Sequence, residues 1–482
     1  MIDFRPVLQI VGTILCLMAA SMALPALADM ASGHPEWRIF VMSGFTTGVA
    51  GLGLMLGTQS DFQSLSVRQT YLTAALGWVV PCLFGALPLM FGAADLSTID
   101  AIFESTSGVT NTGSTVIDGL EHMPRGLLLW RAQLNWMGGM GMIAMVVAIL
   151  PTLNIGGMQV FCMHGGSSGD MPLRRSARVG IAIVSVYVIL TAALALALWL
   201  AGMPRFDAVV YAMSTISTGG FGTHDASLGM FNSAAIDLIA CVGMVLGGVP
   251  YLLFPQLARG RWRTILHDQQ VRLYLGLMAA GSAAVVLWLM VERNFSVLGA
   301  IHHGVFTVVS VMTGTGLMTI DYSDWIGLPA AVLFFLTFVG GCAGSATAGI
   351  KVFRLHLLFA NARVQMHQLL RPHAIEVPTF NGRPLSNEIL QSAMGFLFVY
   401  VLGFAVLSMT LGFLGLDFLT AISGAAAAIS NLGPGLGETI GPGATFGPLP
   451  DMAKMALACG MLFGRLEMFI LLVLFVPNFW KQ

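Results

Sequence analysis

Charge is what this chain has least of. Only 9% of its 482 residues are Asp, Glu, Lys or Arg, against roughly a quarter in an average soluble domain. A soluble fold of this length could not clothe its surface with so few charges, so most of that surface must face lipid. The formal net charge of −1 carries no footprint of nucleic-acid binding and no sign of a strongly acidic partner. Six cysteines, Cys16, Cys82, Cys162, Cys241, Cys342 and Cys459, lie far apart and mostly in apolar runs. None has C-x-x-C or zinc-finger spacing, so neither a disulfide framework nor a metal cluster is expected, and the thiols read as small buried apolar groups. P-loop, nucleophile elbow and dinucleotide fingerprint are all missing. So is any convergent acid, base or metal set within the membrane, and the chain reads as a non-enzyme without an organic cofactor.

What is abundant is apolar sequence, 56% of the chain. About 20 apolar residues are needed to cross the hydrocarbon core as a helix. Stretches of that kind occur near 6–27, 38–58, 67–92, 126–152, 177–202, 232–257, 272–292, 325–350, 387–413 and 452–477, which predicts an all-α integral membrane protein with ten transmembrane helices. At the N-terminus, Arg5, an apolar stretch and Ala26-Leu27-Ala28 imitate a cleavable signal peptide. The hydrophobicity of everything downstream argues instead for a retained first helix over Pro6 to Leu27.

Lys and Arg placement orients these spans. With ten crossings and an internal N-terminus, fifteen basic residues fall on one side, including Arg174, Arg175, Arg259, Arg261, Arg263, Lys351 and Arg354, and six on the other. Both termini are therefore expected in the cytoplasm. Shorter apolar segments near 98–110, 206–217, 298–312 and 417–430 are too short to cross. Each is followed by Gly, Thr, Ser or Asn, the mark of a half-helix that enters and turns back, which is permitted only where exposed backbone lines a water-filled cavity.

The four short segments are copies of one unit. Aligned on Gly113, Gly220, Gly316 and Gly433, each has a hydroxyl three residues earlier: Thr110, Ser217, Thr313 and Ser430. An apolar residue always precedes it: Val109, Ile216, Met312 and Ile429. Six residues before the glycine stand Ser107, Ser214 and Ser310, with Ala427 in the fourth copy. The unit is span, half-helix, glycine loop, span. Two leading helices (1–62) then precede four pseudo-symmetric repeats over 63–153, 154–260, 261–363 and 364–482.

Such a unit suits cation conduction. An entering ion must exchange its water for other oxygens, and rings of backbone carbonyls can supply them. Glycine reaches the irregular dihedrals this needs without steric cost. The hydroxyls of Thr110, Ser217, Thr313 and Ser430, with Thr112, Thr218 and Thr315, can brace the loops, and each half-helix turns its partly negative C-terminal end toward the ion. Around the loops, Glu104, Asp118, Glu121, Asp207, Asp225, Asp321, Asp324, Asp417 and Glu438 could concentrate cations at a mouth, although capping or solvation is the favoured reading for any single one of them.

The loops Thr112-Gly113-Ser114-Thr115-Val116, Ser217-Thr218-Gly219-Gly220-Phe221, Thr313-Gly314-Thr315-Gly316-Leu317 and Asn431-Leu432-Gly433-Pro434-Gly435 resemble the four filter loops of the Trk/Ktr/HKT potassium transporters. The two leading helices, Trp136-Met137-Gly138-Gly139-Met140-Gly141 and Gly464-Arg465-Leu466-Glu467 look most like the bacterial Trk membrane subunit. The resemblance covers nearly the whole chain. It implies a K+ filter built from Thr112, Gly113, Thr218, Gly219, Gly220, Thr315, Gly316, Asn431, Leu432 and Gly433, with K+ bound there and Rb+ accepted. It also implies a homodimer in the bacterial inner membrane, surrounded by lipid and working with a cytoplasmic nucleotide-binding regulatory subunit. The residues alone give a cation path and do not choose K+. The longest cytoplasmic stretches, 153–176 and 351–386, are too short for a nucleotide-binding domain, and the basic loops offer docking points for one.

Two further features bear on control. After the third filter, Gly340-Gly341-Cys342-Ala343-Gly344-Ser345-Ala346-Thr347-Ala348-Gly349 disfavours a continuous helix, since each glycine costs about 1 kcal/mol relative to alanine. A movable loop at membrane depth is expected there, with small-residue helix packing as the other explanation. Arg465 lies inside the last apolar span, where an ionisable residue is costly and usually functional; its field would oppose a cation, making it a pore barrier or, alternatively, a structural ion-pair partner. Glu467, two residues on, faces elsewhere. His302-His303 begins no metal motif and reads as half-helix packing. Gly138, Gly139, Gly243, Gly247, Gly248, Gly460 and Gly464 recur in the second spans and read as close helix contacts. Gated passive flow, coupled symport with H+ or Na+, and a membrane enzyme are the competing functions. All four units share one orientation, whereas many symporters use inverted repeats, which favours a pore.

Overall fold

The computed structural model describes residues 2–60, 65–148, 173–373 and 376–481. The 62/63 and 153/154 repeat boundaries, Cys162, most of the stretch 153–176 and the side chains of Arg174, Arg175 and Arg178 lie outside the described residues. Among the described residues the chain is mostly helical, with one two-stranded hairpin pairing Thr379–Phe380 with Arg383–Pro384.

Six stretches are long and apolar enough to cross a membrane unbroken: Arg5–Ser32, Trp37–Gly57, Val67–Phe91, Gly180–Leu200, Gln269–Val291 and Asn387–Phe413. The chain is thus a multi-pass membrane protein. The other expected crossings differ for visible reasons. Arg125–Ala148 is a 24-residue helix diluted by Arg131, Gln133 and Asn135. Ala234–Gly247 bends by 91° into Tyr251–Leu257 at Gly248-Val249-Pro250, where proline cannot continue the amide ladder. Leu328–Val339 stops after 12 residues at Gly340. Asp451–Arg465 stops at Leu466, and the chain resumes as Phe469–Leu474 after Glu467 and Met468 take left-handed backbone conformations.

Four half-helices stand between these elements: Thr98–Val109, Arg205–Ser217, Val297–Thr313 and Phe418–Ser430. At about 1.5 Å per residue none reaches the roughly 30 Å of a hydrocarbon core. Three begin on a side-chain cap, with Ser97 accepting from the Asp100 amide, Ser296 from Gly299 and Asp417 from Thr420. The second starts after Pro204 and carries Asp207 in its first turn, where a carboxylate suits the helix dipole. Their C-terminal halves are buried, from Ser105 to Val109, Ser214 to Ser217, Phe306 to Thr313 and Ser423 to Ser430.

The second spans approach the ends of these half-helices through glycine. A Cβ on Gly138 would overlap the Val109 carbonyl oxygen, one on Gly464 the Ile429 carbonyl oxygen, and one on Gly247 would sit 3.0 Å from the Ile216 carbonyl oxygen. Val109, Ile216 and Ile429 hold the same place, four residues before their loop glycines. The buried carboxylate of Asp29 receives the Gly126 amide at 2.6 Å and so caps Arg125–Ala148. Gly138→Ala should sharply lower the monodisperse fraction of detergent-solubilised protein, while Gly53→Ala, whose Cβ meets nothing within 4 Å, should leave it unchanged in size-exclusion chromatography.

Candidate functional site

All four half-helices terminate alike. Asn111, Thr218, Gly314 and Asn431 cap them in left-handed conformation, with φ of 56°, 57°, 74° and 52°. Each donates its amide to the carbonyl three residues back: Gly108, Thr215, Val311 and Ala428, at 3.0–3.2 Å. The next residue, Thr112, Gly219, Thr315 or Leu432, donates to the carbonyl five back, at Ser107, Ser214, Ser310 or Ala427, at 2.8–2.9 Å. This is the Schellman arrangement, for which Gly and Asn are the usual left-handed residues. Thr218 is the costly exception, a β-branched residue at positive φ. Gly113, Gly220 and Gly316 are left-handed again, at φ 83°, 82° and 76°. Gly433, followed by Pro434, is not.

The loops close a ring in chain order. A Cβ on Gly113 would overlap the Gly219 carbonyl oxygen, and one on Gly220 the Thr315 carbonyl oxygen. One on Gly316 would meet Pro434 Cδ at 2.9 Å and Gly433 N at 3.4 Å, and one on Gly433 would meet the Gly113 and Thr112 carbonyl oxygens at 3.0 and 3.2 Å. The ring glycines Gly113, Gly220, Gly316 and Gly433 floor an open vestibule of about 740 Å³, solvent at its mouth included, which Asp118 and Asp225 also line. Side chains stitch the loops together. Asn111 Nδ2 donates to the Ser217 carbonyl at 2.6 Å, Asn431 Nδ2 to Thr112 Oγ1 at 3.0 Å, and Ser114 Oγ to the Gly433 carbonyl at 2.7 Å.

The hydroxyls singled out in the sequence are buried at the helix ends. Thr110 and Thr313 pair with Thr112 and Thr315 at 2.8 and 2.7 Å. Ser217 turns back to the Ser214 carbonyl, and Ser430 meets the Tyr400 hydroxyl at 2.8 Å. The acidic residues divide. Glu104 is wholly buried: its oxygens take the Val116 amide, the Thr115 hydroxyl and Arg131 Nε at 2.9, 3.0 and 2.8 Å. Arg131 also reaches the Gly222 carbonyl and lies 4.2 Å from the Phe221 ring centroid, so this ion pair props the first and second loops. Asp225 accepts from the Gly119 and Leu120 amides, Asp321 holds Ser323, Asp324 pairs with Arg293, and Asp417 is a helix cap. The Thr420 side chain and amide hold the Asp417 carboxyl below its ordinary range.

Below the ring, Gly340 to Lys351 forms a buried irregular loop in which Gly340, Gly344, Gly349 and Lys351 all have positive φ. Gly341 packs against Thr347, whose hydroxyl joins Ser345 Oγ at 2.7 Å. Arg465 meets this loop. Its Nη1 donates to the Ala346 carbonyl at 3.1 Å and its Nη2 to the Gly138 carbonyl at 3.4 Å, with the Trp78 ring 5.4 Å away. Its partners are carbonyls and an aromatic face, whereas Glu467 pairs with Arg354 and lies 3.9 Å from Lys351. His302 binds Asp237 at 2.8 Å and His303 binds Thr319 at 3.0 Å, their rings stacked although successive helical positions point about 100° apart. Among the described residues no three His, Cys, Asp or Glu converge on a metal position; the expectation of metal binding rests on backbone oxygens.

The family described as TrkH, cation transport protein, matches residues 38–482. The chain belongs to the TrkH family. The chain is similar to two potassium uptake proteins of the Trk system from Halomonas elongata. These are TrkI, at 38% identity over 99% of this chain and 97% of that one, and TrkH, at 39% over the whole of both. The TrkH of Escherichia coli K12 is 36% identical over 99% of this chain and 100% of its own. The crystal structure of the potassium transporter TrkH from Vibrio parahaemolyticus superposes with a TM-score of 0.92 at 36% identity, each chain covered completely. TrkH relatives are transport proteins, in keeping with a non-enzymatic role.

Sequence reasoning named the ring residues, the broken loop and Arg465. It passed over Asn111, the Glu104–Arg131 pair, Asn135 beneath Gly219, and the partners of Glu467. A signal existed for Arg131: a charge at the head of an apolar span, 27 residues after a carboxylate in the preceding half-helix. Glu104→Gln should strand Arg131 and cost about 3–5 kcal/mol, read as a lower thermal midpoint in detergent. Glu104→Gln with Arg131→Met should cost less than the two single replacements together.

Proposed function

We propose that this chain is the conducting subunit of a potassium-uptake system in the bacterial inner membrane, carrying K+ through a gated pore. One observation carries the reading: four helix-ending glycine loops close a ring, glycine against a neighbouring carbonyl oxygen at three of its seams, beneath an open vestibule lined by Asp118, Asp225, Arg131 and His224. Carbonyl rings replace an ion's hydration shell, and no acid–base chemistry is needed for that. The choice of K+ follows the relatives named as potassium uptake proteins, and Rb+, of similar size, is expected to be accepted.

In this reading ten crossings, some broken, form four repeats about the ring behind two leading helices, and both termini are cytoplasmic. The filter comprises Thr112, Gly113, Thr218, Gly219, Gly220, Thr315, Gly316, Asn431, Leu432 and Gly433. The loop from Gly340 to Gly349 is the gate, and Arg465 above it is an electrostatic barrier. Opening is governed by a cytoplasmic nucleotide-binding subunit, and the chain works as a homodimer.

Flux of K+, Rb+, Na+ and Li+ into proteoliposomes tests this. Wild type should pass K+ and Rb+ preferentially. Gly316→Ser, which forces a Cβ against Pro434 at positive φ, should bring the K+/Na+ ratio toward unity. An unchanged ratio places selectivity elsewhere, and uptake that requires a proton gradient turns the reading to symport. Arg465→Gln should raise K+ flux severalfold with the ratio retained; a fall in flux would make Arg465 a loop anchor instead.

A further inference from the structure

The second span of the second repeat breaks at Gly247-Gly248-Val249-Pro250-Tyr251, and the break leaves backbone groups that need partners at membrane depth. They find them in the loop below the ring. Cys342 N donates to the Gly248 carbonyl at 3.0 Å, Ala346 N to the Gly247 carbonyl at 3.3 Å, and Tyr251 N to the Gly344 carbonyl at 3.0 Å. The same elbow also touches the ring. The Tyr251 hydroxyl donates to the Ile216 carbonyl at 3.1 Å, immediately before the Ser217-Thr218-Gly219-Gly220 loop, and Gly247 packs on that same oxygen. Tyr251 is fully buried, with its ring centroid 5.6 Å from that of Tyr187. A third element clasps the loop: Gln270, buried in the helix Gln269–Val291, accepts the Ala343 amide at 3.1 Å through Oε1.

We infer that Tyr251 is a positioning residue that couples the intramembrane loop to the second filter loop, its amide holding one and its hydroxyl the other. The inference rests on the pore-and-gate reading above. The Gly247–Tyr251 elbow cannot follow the loop without moving the Ile216 carbonyl, so opening the gate loosens one quarter of the ring. Coupling of this kind is established only when both ends bias one element, and two substitutions reach the two ends separately. Tyr251→Phe keeps the ring packing and the amide bond while removing the hydroxyl. Gln270→Met keeps the side-chain volume while releasing the loop.

The experiment measures K+ flux and the K+/Na+ flux ratio in proteoliposomes for wild type, Tyr251→Phe, Gln270→Met and the double variant. Tyr251→Phe should lower the ratio about two- to tenfold, the worth of one hydrogen bond. Gln270→Met should raise K+ flux and lower the ratio as well. In the double variant the ratio should fall by less than the product of the two single effects, because both act through one elbow. A ratio untouched by Tyr251→Phe, or by Gln270→Met while its flux rises, overturns the coupling and leaves the gate in place. Independent effects in the double variant do the same. Unchanged flux in Gln270→Met removes the gate, and the coupling with it.

Discussion

Backbone amides and carbonyls cannot be left unpaired in hydrocarbon, and that constraint organises this molecule. Each place where a helix stops inside the fold is matched by a partner built for it. The half-helices close on themselves through left-handed caps at Asn111, Thr218, Gly314 and Asn431. The elbow at Gly247–Tyr251 and the loop from Gly340 to Lys351 answer one another's unpaired groups. Arg465 supplies donors to two carbonyls, at Gly138 and Ala346, on different elements. The irregular segments are therefore interlocked, and none could be excised alone.

Charge follows the same logic. A buried ion is tolerable when paired, and losing one partner is far worse than losing both. Glu104 with Arg131, and Glu467 with Arg354 and Lys351, sit above and below the ring, each joining segments distant in sequence. Arg465 is different, since carbonyls and the Trp78 face surround it, with no carboxylate partner among the described residues. Its guanidinium bridges the loop at Ala346 and the span at Gly138 through carbonyls alone.

The sequence made much of this legible because the constraint writes itself into residue types. Glycines that avoid a carbonyl, such as Gly138, Gly247 and Gly464, lie in the spans that follow the half-helices they touch. The small-residue run after Val339 pointed to a break or to close helix packing, and the backbone breaks there, with Gly340, Gly344 and Gly349 at positive φ. Helix lengths were less legible. Hydropathy averages over the Gly248–Pro250 bend and the Leu466–Met468 break, because a broken span is as apolar as a straight one. Pairing was least legible of all. Glu104 looked like a mouth residue because its sequence neighbours lie near a loop, and only tertiary geometry turns its carboxylate inward to Arg131. Tyr251 and Gln270 carry no pattern that distinguishes them from ordinary buried side chains.

Pro434 gives the ring an asymmetry that a four-fold tetramer of identical chains cannot have. At the level of the loop glycines, three seams bring a glycine against a carbonyl oxygen and the fourth sets Gly316 against a pyrrolidine methylene. Proline also removes an amide and fixes its own φ, so the fourth loop has fewer conformations open to it than the other three. The ring thus has one restrained wall and three built without proline at that position. Because all four are encoded in one chain, each wall can drift in sequence without dragging the rest along. Selectivity in such a protein is open to adjustment a quarter at a time.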